Sequence, residues 1–151
     1  MTRYRETVRM DDTSIEFCPA RHDDLARVQA FLRPYMNGKQ LLPRTSIELE
    51  LLLKHAFLAE HDGQLVGFAA VEIYSRKLAE IQCLAVSEMY QRRGVGRTLV
   101  AMCVQRAKEQ KIIEVMAISS SDEMFRACGF DYSLPNQKRA LFIQPLADPA
   151  E

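Results

Sequence analysis

Gln91-Arg92-Arg93-Gly94-Val95-Gly96 follows the apolar, strand-like run Ile81-Gln82-Cys83-Leu84-Ala85-Val86 and precedes Arg97-Thr98-Leu99-Val100-Ala101-Met102-Cys103-Val104, which reads as helix. A strand, a short glycine-bearing turn and a helix together make a cradle for anionic oxygen. The glycines let backbone approach a ligand closely, and the free N–H groups of the first helical turn point at it. Arg92, Arg93 and Arg97 flank the turn and add charge-assisted donors. A pyrophosphate suits such a cradle, so the stretch points to an enzyme that holds a phosphate-bearing cofactor. The competing reading is a tight turn and nothing more.

Upstream of this stretch, Ile15-Glu16-Phe17-Cys18 alternates, stops at Pro19 and reads as a first strand. Residues 1–12 are polar and charged and read as a loose leader or a late-ordering arm. His22-Asp23-Asp24 offers an N-cap to a helix carrying Leu25, Val28, Phe31 and Leu32, which Pro34 is expected to end or kink. A second helix starts at Thr45 or Ser46, with Glu48 and Glu50 near its N-terminus. Strands follow at 56–60 and 65–74, joined by an Asp62-Gly63 hairpin, with Gly67 marking a bulge. Another strand covers 79–86.

Beyond the glycine turn, a helix runs to about Gln110. Residues 112–118 read as a strand apolar enough to be central. A short helix over 123–128 ends at Gly129 in the C′ position, and further strands start at Phe130 and at Arg139. The order predicts an α+β fold, a mixed but mostly antiparallel central sheet flanked by helices on both faces in three layers. One domain spanning residues 1–151 is expected, with an ordered core over about 14–144.

The 151 residues suffice to bury a sizeable core. Lys+Arg and Asp+Glu number 20 each, so no basic excess supports nucleic-acid or anionic-membrane binding. Cys18, Cys83, Cys103 and Cys128 form no C-x-x-C pair and read as reduced, mostly buried thiols of a cytoplasmic protein. His22, His55 and His61 lack metal-ligand spacing, so no metal is expected. No signal peptide or membrane span is legible.

Gln91-x-x-Gly94-x-Gly96, with Cys83-Leu84-Ala85-Val86 before it and Ala127-Cys128-Gly129-Phe130 after it, resembles the GNAT superfamily of N-acetyltransferases. That superfamily has the pyrophosphate-binding pattern Gln/Arg-x-x-Gly-x-Gly/Ala. Leu32-Arg33-Pro34, Leu41-Leu42-x-Arg44-Thr45, residues 79–86 and Leu134-Pro135 are most similar to the acetyltransferase domain of N-acetylglutamate synthases. The amino-acid kinase domain of many such synthases has no counterpart here, which gives the expectation of a stand-alone, short version. The tail after Leu134-Pro135 is shorter, and the family's arginine-bearing turn there has no clear match.

The resemblance implies acetyl transfer from acetyl-CoA to the amino group of a small amino acid, L-glutamate favoured, as in arginine biosynthesis. Other acceptors of the same class are a polyamine, an antibiotic or a protein N-terminus. A third reading is a non-catalytic acetyl-CoA sensor. Backbone N–H groups from Gln91 through Arg92, Arg93, Gly94, Val95 and Gly96 to Arg97 would receive the pyrophosphate, with Thr98 adding a hydroxyl. Leu84 and Val86 would offer main-chain groups to the pantetheine arm and thioester, on a strand that diverges from its neighbour. Glu80 would be the general base; its alternative is a solvent-facing carboxylate. Arg44 would take a substrate carboxylate by bidentate pairing, or else be a solvated pre-helix arginine.

Cys83 would bind substrate through its backbone, its side chain being core. Lys138 or Arg139 would supply a second carboxylate contact; Arg33 and Lys39 are weaker candidates. Many relatives have a tyrosine general acid where this chain has Phe125, which cannot donate a proton. Ser119, Tyr132 or solvent stand in for it. The last strand and exposed sheet edge would serve a homodimer, a superfamily habit.

Overall fold

The computed structural model describes residues 3–10, 13–134 and 140–146. Those up to Ala117 form one compact unit and those from Ile118 a second. The first unit holds a six-stranded sheet: β1 (Glu6–Met10), β2 (Thr13–Pro19), β3 (Ala56–His61), β4 (Gln64–Ile73), β5 (Leu78–Val86) and β6 (Glu114–Met116). Each strand pairs with the one before it in sequence. The first four pairings are antiparallel, and β5–β6 is parallel.

Helices cover both faces. α1 (Leu25–Asn37) and α2 (Ser46–Leu52) put Val28, Leu32, Leu49 and Leu52 into one cluster with Leu58, Phe68, Ala70, Cys83 and Ala85 of the sheet. α3 (Val95–Glu109) lies against the other face, where a Cβ at Gly67 would meet Leu99 Cδ1 at 3.0 Å and Val95 Cγ1 at 3.1 Å. Gly67 is thus a place of close helix–sheet approach. The β3–β4 register shifts beside it, with Glu60 opposite Leu65 and Ala59 opposite Gly67, so Val66 is the extra residue. Arg106 of α3 stacks over Phe57 at 5.1 Å, another contact on that face.

Local chemistry explains the ends of several elements. Thr45 caps α2 in a capping box: its hydroxyl accepts from the Glu48 N–H at 3.2 Å, while Glu48 accepts from the Thr45 N–H at 2.7 Å. Asp62 and Gly63, with φ of 49° and 77°, supply the left-handed pair that the β3–β4 hairpin needs. In the second unit, α4 (Asp122–Ala127) ends with Gly129 at φ 92°, and the Phe130 N–H donates to the Phe125 carbonyl at 3.0 Å. Phe130 then packs edge-on against Phe125 with centroids 5.3 Å apart.

The structure corrects several expectations. Residues 6–10 are a strand, not a leader, so the sheet starts ahead of the expected core. α1 runs through Pro34 to Asn37; Pro34 is exposed, where its missing N–H and its ring meet solvent. Asp24 precedes α1 without a side-chain cap bond, its carboxylate instead accepting from Arg3, Arg27 and the Arg21 N–H. β6 is three residues long and ends the sheet, not a long central strand. Phe130–Tyr132 and residues 140–144 contain no strand; Arg139 and Lys138 lie outside the described residues.

β1 is held by charge. Glu60, 3% exposed, accepts from Arg5 Nη1 at 2.5 Å and from Arg27 Nη2. Burial alone would push the Glu60 carboxyl up, but these bonds outweigh it and hold its pKa below its ordinary value of 4.5. Because folding lowers this pKa, the stabilisation is complete above 4.5 and is lost as pH falls through the folded value. Glu60→Gln is expected to cost roughly 1–3 kcal/mol at neutral pH and to flatten the acid limb of the stability curve. Urea unfolding across that limb checks this; a variant as acid-sensitive as the wild type would refute it.

Candidate active site

β5 is paired with β6 only over Leu78–Glu80. Past Glu80, among the described residues, no strand pairs with that edge. On its other side β5 carries a bulge against β4: Phe68 faces Ala85 while Ala70 faces Gln82, so Cys83 and Leu84 oppose Ala69 alone. Cys83 takes the strain, with φ of 56°.

The helix start lies beside this open edge. Gly94, at φ 86°, is the N-cap of α3, and Arg92 is also left-handed at φ 62°. Val95, Gly96 and Arg97 follow, and their first-turn N–H groups lack intrahelical acceptors. A Cβ on Gly96 would meet only Val86 Cγ2, at 3.7 Å, an ordinary contact. The helix N-terminus and the end of the β5 edge therefore adjoin. Gly96 leaves the approach to these N–H groups clear without being needed for internal packing. That is the geometry a diphosphate with an attached extended chain requires, so the cradle fits such a ligand.

Several side chains of the expected cofactor set are spoken for. Gln91 Nε2 donates to the Val86 carbonyl at 2.9 Å, tying the loop to the strand end. Arg93 donates to Thr13 Oγ1 at 3.2 Å and lies 5.9 Å from the Tyr90 ring centroid. The Thr98 hydroxyl donates back to the Gly94 carbonyl at 2.9 Å, leaving its lone pairs. Val95 is core, 1% exposed. Arg92 and Arg97 are exposed. Leu84 and Val86 are half-buried.

A second cluster sits on the α1/α2 face of the β4–β5 ladder. Glu80 is half-buried and faces Glu72 across the strands. Two like charges so placed repel unless donors stand between them. Gln82 supplies these: its Nε2 lies 3.0 Å from Glu80 Oε2 and 3.1 Å from Glu72 Oε2. Tyr74 donates its hydroxyl to Glu80. Burial and this bond raise the Tyr74 pKa, so the phenol keeps its proton. The Gln82 side-chain carbonyl accepts from Arg44 Nη2, while Arg44 Nε is buried with no hydrogen-bond partner among the described residues.

Arg44 and Glu80 are thus brought into one network, through Gln82. Burial pushes the Cys83 thiol up against the opposing pull of Arg44, which suits a core side chain and not a thiolate nucleophile. A cleft of about 330 Å³ opens alongside, lined by Arg44, Glu48, Leu52, Lys54, His55 and Glu72 among others. Gln82, Tyr74 and Glu72 are the site residues that sequence reasoning missed. Their signal is polar residues at period two inside apolar strands, at 72 and 74 on one and at 80 and 82 on the next.

In the second unit, Ser119 is exposed and its hydroxyl accepts from the Ser121 N–H at 2.9 Å. The Tyr132 hydroxyl donates to Asp122, which raises its pKa. Phe125 is buried, 8% exposed.

The model of the acetyltransferase (GNAT) family matches residues 25–130. An amino-acid acetyltransferase of Neisseria meningitidis is 32% identical over 126 residues, covering 80% of this chain and 29% of that protein. The chain thus spans under a third of that relative. The structure of Rv2747 from Mycobacterium tuberculosis in complex with CoA superposes with a TM-score of 0.68 at 26% identity, covering 75% of this chain and 69% of that one. N-acetylglutamate synthase from Neisseria gonorrhoeae, complexed with coenzyme A and N-acetyl-glutamate, gives 0.66 at 31% identity, covering 75% and 27%.

Proposed function

Because the chain belongs to the acetyltransferase (GNAT) family, we propose that it transfers the acetyl group of acetyl-CoA directly to the amine of a small amino acid, with L-glutamate favoured. The observation that carries this reading is the adjoining of the α3 N-terminus, at Gly94 to Arg97, and the open edge of β5 at Val86. The N–H groups of Val95, Gly96 and Arg97 hold the diphosphate, with Arg92 and Arg97 screening its charge. Main-chain groups of Leu84 and Val86 line the thioester arm.

Acetyl-CoA supplies a thioester: the amine nitrogen bonds to its carbonyl carbon, the C–S bond breaks, and CoA leaves as the thiol. An ammonium has no lone pair, so Glu80 accepts the proton that frees the amine, directly or through a water. Arg44 takes a substrate carboxylate, its Nε still lacking an acceptor. The Cys83 backbone, lifted by the bulge, faces the acceptor. Solvent returns a proton to the leaving sulfur.

Acetyl-CoA at a hundred times its Kd is expected to stabilise the fold by about 2.7 kcal/mol, a melting shift of roughly 5–10 °C. Differential scanning fluorimetry reads this, and no shift at millimolar ligand would end the reading. Thiol release with a panel of amines then separates acceptors. Binding without transfer to any amine favours the sensor. Transfer to polyamines with none to amino acids removes the glutamate assignment.

A further inference from the structure

We propose that Gln82 is a positioning residue that holds Arg44 and Glu80 in one fixed relation and so makes the site selective for amines that carry a carboxylate on the adjoining carbon. This deepens the transfer reading and depends on it. Gln82 is 8% exposed, and its two ends meet opposite charges. Its carbonyl accepts from the Arg44 guanidinium. Its amide nitrogen faces Glu80 at 3.0 Å, Glu72 at 3.1 Å and the Tyr74 hydroxyl at 3.2 Å. Two N–H groups serve these three acceptors, so the amide is saturated with partners.

The charges also fix which way the amide points. Reversed, its NH₂ would abut the guanidinium and its carbonyl two carboxylates. A glutamate would set a third carboxylate beside Glu72 and Glu80, and a methionine would satisfy neither end. Only a neutral side chain with a donor and an acceptor fits. A buried amide so constrained transmits position: moving Glu80 moves Arg44.

That coupling has a chemical use. An α-amino acid carries its amine and its carboxylate one carbon apart, a fixed spacing. Arg44 has a buried Nε whose proton no group among the described residues accepts, a donor left for the carboxylate, and Glu80 receives the ammonium proton. With one amide group between them, the two protein groups keep a spacing matched to the two ends of the acceptor. A plain amine engages only Glu80 and gains nothing from the match.

The test uses Gln82→Met and Gln82→Asn in the full chain. The acceptors are L-glutamate and 4-aminobutyrate, which has the amine without the α-carboxylate. Gln82→Met is expected to raise KM for L-glutamate about tenfold or more and to raise KM for 4-aminobutyrate far less, while any kcat loss from the altered surroundings of Glu80 falls on both acceptors alike. Added to Arg44→Met, it should raise KM no further, because the two act as a unit. Gln82→Asn, which retains both ends but shortens the reach, should raise KM for L-glutamate too, and carries the test if the methionine variant fails to fold. Equal KM rises on both acceptors, or KM effects that add with Arg44→Met, mean a merely structural amide and overturn the proposal. A wild type that acetylates L-glutamate while both variants match it overturns this proposal alone. A wild type that acetylates no amine overturns the transfer reading and this proposal with it.

Discussion

Gly96→Val is expected to weaken CoA binding by at least about 100-fold while shifting the melting temperature by no more than a few degrees. The two effects separate because of where Gly96 sits. An added Cβ meets nothing within 4 Å but a Val86 methyl at 3.7 Å, and the residue lies in a helix where valine is no worse than glycine. Branched methyls there instead project over the first-turn N–H groups of α3. Losing two charge-assisted bonds at about 1.5–3 kcal/mol each gives a factor of at least about 100. Gly96→Ala is the control: it should keep most of the affinity and stabilise the helix slightly. Titration calorimetry with CoA reads both. A valine variant that is folded and binds within threefold of the wild type would remove the cradle from the account.

Glu80→Gln is expected to lower kcat by about 10²- to 10⁴-fold at unchanged CoA affinity. The replacement is isosteric, and an amide oxygen still accepts from Tyr74 and Gln82, so the network around it survives. What disappears is a group able to take a proton from the amine. Tyr74→Phe removes one donor from the same carboxylate and should cost far less. Steady-state rates at saturating acetyl-CoA discriminate; a loss below tenfold for Glu80→Gln would show that bulk water deprotonates the acceptor unaided.

Much of the fold was legible where the deciding interaction is local. The Thr45–Glu48 capping box, the Asp62–Gly63 turn and the Gly129 helix stop each close within a few residues, so the sequence states them outright. The glycine turn is of the same kind, its left-handed Gly94 opening α3. What escaped was set by partners far along the chain. β1 has few apolar residues to announce it; Arg5 is fixed by Glu16 and Glu60 of later strands. Pro34 reads as an end or a kink, yet α1 continues through it to Asn37, with Leu32 buried against the sheet and Pro34 exposed. In the site, Arg44 and Glu80 were singled out separately, but Gln82, which connects them, looked like one polar residue in an apolar strand. Period two puts it on the Glu80 face, but that Glu72 and Tyr74 of β4 share this face beside it is visible only in the pairing and its hydrogen bonds.

The strand order of the sheet bears on how the protein is made. Each strand lies next to its predecessor in the chain, so a ribosome releases the sheet in the order in which it is assembled. The β1–β2, β3–β4 and β4–β5 hairpins can zip as they leave the exit tunnel, whereas β2 must wait for α1 and α2 to pass before β3 covers its edge. The final parallel pairing must wait for a second long connection, and α3 lies in it. The diphosphate cradle is therefore among the last parts of this unit to come together, and a nascent chain paused before α3 would already be compact yet unable to hold coenzyme A.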